Sequence, residues 1–525
     1  MKYGEAFKCF QSIEGWNKGT IGEEMLRWCD LYTDKTAVIS SEENLSYSEL
    51  GERILLASKG FINEGIRLGD RVILQLPNSI NFIVSFFGLL RIGAIPIMAL
   101  PAHRSSEILG MVKTANPTAY ICQDFYAGFS YDDLIEDVRK KESVKYIITV
   151  PEGESILDNL DCKYEDYIPA PDNLDIAFLS LSGGTTGMSK LIPRTHGDYL
   201  YDSKVSVDRC LLTDEDRMLI VLPIAHNFVL GHPGFIGAFS VGATLVLNEY
   251  SDMNEALENI ETYGVTFMSL VPSMAKLMLE ILEEEDFDIS SLRVLQIGGS
   301  FLEEEVAEKL MNLNSFTLQQ VFGVAEGLNT MTSLTDEKDI VKMYQGKKCS
   351  SYDVIKIVDE DGIECPAGQS GNLLVSGPYT IRSYYNHPEN DSFFTKDGFY
   401  ITGDRAFVTK DGNLKIVGRV KEMINKGGEK ILPSELETLL YEMDTVKDSA
   451  VVGIHDDNLG EKICVFIVGS KKTGLSEVRN YLSQKNIAAF KLPDMVVHID
   501  KMPLTKIGKV DKKKLVQMGE ESNGK

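Results

Sequence analysis

The stretch that decides the reading is LSLSGGTTGMSKLIPRTH, Leu179–His196. It follows an apolar run, DIAFLSLS, so a strand is expected to feed a loop of glycines and hydroxyls. Gly183, Gly184 and Gly187 let the backbone bend and bring N–H groups close to an anion. Ser182, Thr185, Thr186 and Ser189 add hydroxyl donors, and Lys190 adds a charge. Glycines standing alone would suit an ordinary turn. The dense Gly/Thr pattern ending in lysine points to a phosphate. The loop is not of the Walker A kind, because two residues separate Gly187 from Lys190. That spacing argues against a P-loop motor or GTPase.

The whole chain has 525 residues, more than one ordinary core accommodates, so two or more domains are expected. Hydrophobic content of 43% and charged content of 25% are those of a soluble globular protein. A net charge of -25 argues against nucleic acid as the main partner, since phosphate backbones need clustered Lys and Arg. The eight cysteines include no C-x-x-C pair and read as scattered reduced thiols, consistent with a cytoplasmic location. The segment Ile80–Leu100 is apolar, but Asn81, Arg91, Gly93 and Pro96 interrupt it. It reads as a buried helix followed by a strand, not a membrane span.

Over the first four hundred or so residues, short apolar runs such as DRVILQLP, IPIMALP and TAYICQD alternate with amphipathic stretches. That rhythm predicts an α/β fold, with parallel sheets covered by helices. From about Tyr352 the texture turns β-rich, with D-G pairs between alternating runs. After GRVKEMINKGGEKILPSELE a small α+β unit follows. The expected division is an N-terminal core over 1–417, a hinge over 418–422 and a mobile C-terminal domain over 423–525. The tail MGEESNGK reads as disordered, and Lys512–Lys514 as a solvated run.

The loop resembles the signature loop of the adenylate-forming superfamily, which includes acyl-CoA synthetases, nonribosomal peptide adenylation domains and firefly luciferase. Further segments match in order: FGVAEG, FYITGD, the hinge stretch just quoted, and PLTKIGKVDKKKL with Lys509. The resemblance implies ATP and Mg²⁺ as cofactors and a two-step reaction. A carboxylate attacks the α-phosphate to give acyl-AMP and pyrophosphate, and a thiol then takes the acyl group. It assigns Ser182–Lys190 to the β- and γ-phosphates, and Glu326 and Thr186 to the metal. Asp404 and Arg419 take the ribose. Gly298, Gly299 and Ser300, with Gln320, Val321, Phe322 and Gly323, wall the adenine pocket. Lys509 becomes the residue that neutralises carboxylate and α-phosphate together. Read alone, Glu326 is a surface glutamate, Asp404 a turn aspartate, and the Gly298–Gly299 pair a strand-to-helix turn. Glu422 takes the hinge position, and Gly427 and Gly428 the loop facing the thiol.

Within that superfamily the likeness is to freestanding enzymes that adenylate 2,3-dihydroxybenzoate or salicylate for siderophore synthesis. GMSKLIPRTH, LPIAHNF, LQQVFGVAEGL, GPYTIRSYY and INKGGEK carry it, Ser189 standing where most of the superfamily has proline. The resemblance places His226 and Asn227 at the acid's carboxylate. It lines the ring with Phe228, His232, Ser300, Leu328 and Asn329. Asn227 alone would also suit a helix N-cap. His232 stands where that group carries serine or cysteine, and Asn329 where it carries valine or leucine. Two added polar groups at the ring end imply a ring with an altered or additional polar substituent, unless His232 points elsewhere. The implied acceptor is the phosphopantetheine thiol of a separate carrier protein. The alternative is free CoA, as in an aryl-CoA ligase.

Overall fold

The computed structural model describes residues 3–523 except 164–167, 169, 183–189, 427–428, 457–458, 486–488 and 506–507. Two large sheets form the N-terminal part. The six-stranded sheet has parallel strands Ile95–Met98, Arg71–Gln75, Ala119–Gln123 and Tyr146–Val150. At its edge, β1 (Ile176–Leu181) pairs antiparallel with β2 (Leu191–Thr195). The helix α1 (His196–Cys210) follows directly. Thr195 caps it by accepting from the Asp198 N–H, and Asp198 bonds back to the Thr195 N–H in a reciprocal capping box.

Next come the short helix α2 (Asn227–Gly231) and α3 (Pro272–Glu284). The nine-stranded sheet contains β3 (Val294–Gly298), β4 (Thr317–Val324) and β5 (Leu328–Met331). β3 and β4 run parallel, whereas β5 folds back antiparallel on β4. One apolar cluster joins the two sheets, from Val72 and Leu74 through the helix Ile80–Arg91 to Met218 and Leu245. Phe86 and Phe87 of that helix meet Phe235 edge-on, at 5.7 and 5.9 Å between ring centroids. Ile80–Leu100 is thus the expected buried helix and strand. Among the described residues no helix is long and apolar enough to cross a membrane.

A four-stranded antiparallel sheet follows, ending in β6 (Tyr400–Val408) and β7 (Leu414–Arg419). Its D-G turns share one geometry. Asp359 N donates to Ile363 O, Thr395 N to Phe399 O and Thr409 N to Asn413 O. Gly362, Gly398 and Gly412 each adopt positive φ at the corner, which explains their glycine. After a 3-10 turn at Val420–Glu422, the remaining chain forms its own sheet with α4 (Pro433–Tyr441) and α5 (Lys512–Asn523). Its apolar clusters are separate from those of the large part.

Two expectations change here. The tail from Met518 to Asn523 is helical, because Leu515 and Gly519 of α5 are buried against the strand Asp448–Asp456. Lys512 is not a solvated lysine. Its Nζ lies 3.1 Å from both Glu422 and Glu437, while Lys513 and Lys514 are exposed.

Candidate active site

The opening loop is the connection of a β-hairpin. Ser182 N donates to Lys190 O at 3.0 Å and Lys190 N to Ser182 Oγ at 3.0 Å, which clamps its two ends. Gly183, Gly184, Thr185, Thr186, Gly187 and Ser189 lie outside the described residues. The Lys190 ammonium donates to Tyr384 Oη at 3.4 Å and sits 4.0 Å from the Phe393 ring centroid. Tyr384 in turn donates to Glu326 Oε1 at 2.6 Å and pairs with Tyr400 at 2.9 Å. The lysine of the loop and the buried carboxylate of Glu326 therefore share one phenol. Burial and the nearby Glu326 charge raise the Tyr384 pKa, so it stays a donor.

Asp404 and Arg419 face each other across the β6–β7 ladder. Arg419 Nε donates to Asp404 Oδ1 at 2.7 Å. Asp404 Oδ2 is buried with no donor among the described residues. A buried carboxylate oxygen left this way is costly unless a ligand supplies the donor.

Lys509 reaches this region from the small domain. Its Cε lies 3.9 Å from where a Cβ at Gly299 would stand, and Gly299 has φ +85°. The approach is held by Ser273 of α3, whose Oγ donates to Gly508 O at 2.8 Å. Lys276 adds a second tie, its Nζ donating to Tyr441 Oη at 3.1 Å. Among the described residues no carboxylate lies within ion-pair distance of the Lys509 ammonium. Burial lowers its pKa to about 8, with Arg419 adding to the shift and Asp404 and Glu422 opposing it. Burial, and then the Lys509 charge, lowers the His226 pKa to about 4, so this ring is neutral near pH 7.

The residues expected to wall the adenine lie on β3 and β4 or directly after β3. Gly298 pairs with Val321, and a Cβ at Gly298 would lie 3.0 Å from the Phe228 ring, so a larger residue there would press on that ring. Ser300 is exposed beside it, Phe322 half-buried and Gly323 exposed. Gln320 behaves differently from the expectation. Its side chain donates to Val341 O and Lys342 O, away from Val321, and only its backbone belongs to the strand.

At the other end, His226 is the N-cap of α2, its Nδ1 accepting from Phe228 N at 3.3 Å. Asn227 is therefore not the cap but the first helical residue, and its Oδ1 accepts from Tyr199 Oη at 3.0 Å. Phe228 and Leu328 are buried. The two polar departures converge on Asp202 of α1. His232 Nε2 lies 3.0 Å from Asp202 Oδ2, and its Nδ1 lies 3.0 Å from Asn227 O. Asn329 Nδ2 donates to Asp202 Oδ1 at 2.6 Å. Arg194, fully buried, bonds Asp202 at 3.1 Å and Asp198 at 2.9 Å. Burial alone would raise the Asp202 pKa, but the His232 and Arg194 partners hold it below the usual carboxylate range. His232 thus spends both ring nitrogens inside the protein. This corrects the expectation that it presents a hydrogen-bonding group to a substrate.

The profile described as AMP-binding enzyme matches residues 25–385, and that described as AMP-binding enzyme C-terminal domain matches 435–509. The chain belongs to the AMP-binding enzyme family. It is 41% identical over 504 residues to the 2,3-dihydroxybenzoate-AMP ligase of Bacillus subtilis, covering 95% of this chain and 94% of that protein. It is 39% identical to the salicyl-AMP ligase / salicyl-S-ArCP synthetase of Mycobacterium tuberculosis, covering 96% and 91%. The apo structure of Mycobacterium smegmatis MbtA superposes with a TM-score of 0.74 at 37% identity, covering 98% and 97%. In this AMP-binding enzyme, sequence reasoning missed Tyr384 and Asp202. Tyr384 was visible only as part of SYY, and Asp202 as one more polar residue on a helix. Gly427 and Gly428 lie outside the described residues.

Proposed function

We propose that the protein activates an aryl carboxylic acid of the 2,3-dihydroxybenzoate or salicylate type as its AMP ester. It then passes the aryl group to the phosphopantetheine thiol of a separate carrier protein. The setting is siderophore or other nonribosomal peptide synthesis in the cytoplasm. The observation that carries this reading is Lys509, brought from the small domain to Gly299 at the end of β3. The chain-long identity to aryl-acid ligases supplies the acid class.

ATP is the second substrate. The orphaned Asp404 Oδ2 fits a ribose hydroxyl, and Arg419 holds the other oxygen of that carboxylate in place. In the first step a carboxylate oxygen attacks the α-phosphorus, and the bond to the leaving pyrophosphate breaks. The Lys509 ammonium offsets the charge gathering between the two anions, which is the dominant catalytic demand of such a step. Ser182, Lys190 and the loop between them hold the phosphates that leave. Neutral His226 and Asn227 lie where the acid's carboxylate enters, and neither brings an anion against it. Mg²⁺ takes one or two carboxylates plus phosphate oxygens, and Glu326 is a buried carboxylate linked through Tyr384 to Lys190 of the phosphate loop. Glu326, with Thr186, would hold Mg²⁺, and the ion would supply charge neutralisation to the phosphates.

In the second step the thiol sulfur attacks the acyl carbon, the C–O bond to AMP breaks and the thiol proton is lost. The small domain must leave the Lys509 position to admit the thiol, turning at 418–422 about Glu422. ATP–pyrophosphate exchange across aryl, amino and aliphatic acids tests the first step. Aryl acids are expected to dominate, and exchange with aliphatic acids alone would overturn the reading. Transfer assays with a loaded carrier and with free CoA test the second. Efficient use of CoA alone would make this an aryl-CoA ligase.

A further inference from the structure

The helix α3 of the large domain meets the small domain at two points on one face. Ser273 holds Gly508 O, and Lys276 stands one turn further along the same side. The Lys276 ammonium is shared between the domains. Within the large domain it donates to Glu303 Oε1 at 3.1 Å. Across the interface it donates to Tyr441 Oη at 3.1 Å and lies 3.5 Å from Asp448 Oδ1. Tyr441 ends α4, Asp448 begins the strand Asp448–Asp456, and the Tyr441 hydroxyl donates to Asp448 Oδ1. Burial pushes the Tyr441 phenol up, with Glu303 and then Asp448 adding to the shift, so it stays a donor.

Two properties set this cluster apart from the ties made by Ser273 and Ser434, which are neutral hydroxyls. The first is reversibility. Each domain owns a pair that stays satisfied when the domains part: Lys276 with Glu303 on the large side, Tyr441 with Asp448 on the small side. Opening therefore strands none of these four groups, which would be the costly outcome. The second is charge. One cation faces two carboxylates, and Glu303 Oε2 is buried with no partner among the described residues. Without the Lys276 charge, closure brings Glu303 and Asp448 toward one phenol without the cation that balances them. The closed arrangement is then penalised more than the open one.

We infer that Lys276 is a positioning residue for acyl-AMP formation, a latch that holds the small domain where Lys509 reaches Gly299 and releases it for thiol transfer. It touches no reacting atom. The inference rests on the roles proposed above for Lys509 and for the turning of the small domain.

The test separates the half-reactions. ATP–pyrophosphate exchange reads the first, and transfer from supplied acyl-AMP to the thiol reads the second. Lys276→Met is expected to lower the exchange kcat about 10- to 100-fold, the range of a charge-assisted hydrogen bond, with the KM for ATP and the transfer rate within about threefold of wild type. Lys276→Arg keeps the charge and should hold the exchange kcat within about fivefold of wild type. Adding Asp448→Asn to Lys276→Met removes the unbalanced carboxylate and should raise exchange at least about threefold over Lys276→Met alone. Tyr441→Phe loses a single oxygen and should lower exchange about three- to tenfold with transfer unchanged, which keeps the test decisive where Lys276→Met folds poorly. Exchange at the wild-type level in both single variants overturns the inference. So does an equal loss of both half-reactions, the mark of a merely structural role, and so does a double variant no faster than Lys276→Met. These outcomes leave the aryl-acid reading standing, because the wild-type acid panel decides it. If that panel shows exchange with aliphatic acids alone, the aryl reading falls and the latch is tested with the acid that exchanges.

Discussion

Lys509 meets two opposing demands. In the proposed first step its charge offsets two anions, yet burial strips water from it and lowers its pKa to about 8 from the ordinary 10.5. The ammonium is present below that value and lost above it. The free-enzyme kcat/KM for exchange is therefore expected to fall as pH rises through about 8, well before an ordinary lysine would titrate. His226, at about 4, adds no change between pH 5 and 8. Lys509→Ala should lower kcat by roughly 10²–10³ and remove the alkaline limb. A limb unchanged in that variant would assign it to another group. Lys509, Glu326, Asp404 and Arg419 stand out in the sequence as candidates because each sits in a motif of fixed spacing. The role of Asp202 was not legible, because its partners Arg194, His232 and Asn329 come from three other elements.

At the scale of elements, the turn Thr505–Lys509 repeats the geometry of the three D-G turns. Thr505 N donates to Lys509 O at 2.6 Å, Gly508 N donates back to Thr505 O, and Gly508 has φ +77°. Here the device aims the side chain of Lys509, the proposed catalytic lysine, instead of joining strands. Gly508→Ala adds a Cβ at a left-handed φ, 3.4 Å from Ser273 Oγ and Val271 Cγ2. The strain, about 1–2 kcal/mol, should lower exchange about five- to thirtyfold while thermal unfolding of the large domain stays unchanged. Equal activity would mean that the turn relaxes without moving Lys509. Strands and helices of the large part were readable from apolar periodicity, because their burial follows the sequence pattern. The helix α5 was not. It has few apolar residues, and it is stabilised by packing on a neighbouring sheet, which no local pattern announces.

Over the whole molecule, the domains are docked with Lys509 at Gly299, tied by Ser273, by Lys276 and by the Ser434 hydroxyl donating to Val417 O at 2.6 Å. These ties are polar contacts, which the proposed opening of the interface would break. Glu422→Pro fixes φ in the hinge turn and should hold this arrangement. Exchange is expected to stay within about threefold while transfer to the thiol falls by more than about 100-fold, with Glu422→Ala, which also loses the Lys512 ion pair, keeping both. Equal loss of the two half-reactions would place the pivot elsewhere. By itself, the sequence determined the α/β class, the order of its parts and the residues proposed to meet ATP, because phosphate clasps and turns are local devices with local spellings. Only the tertiary structure decided where His232 and Asn329 point. Both were polar and both sat at the ring end, but a buried polar group is assigned by its nearest partner in space, and that partner, Asp202, lies 30 and 127 residues away along the chain.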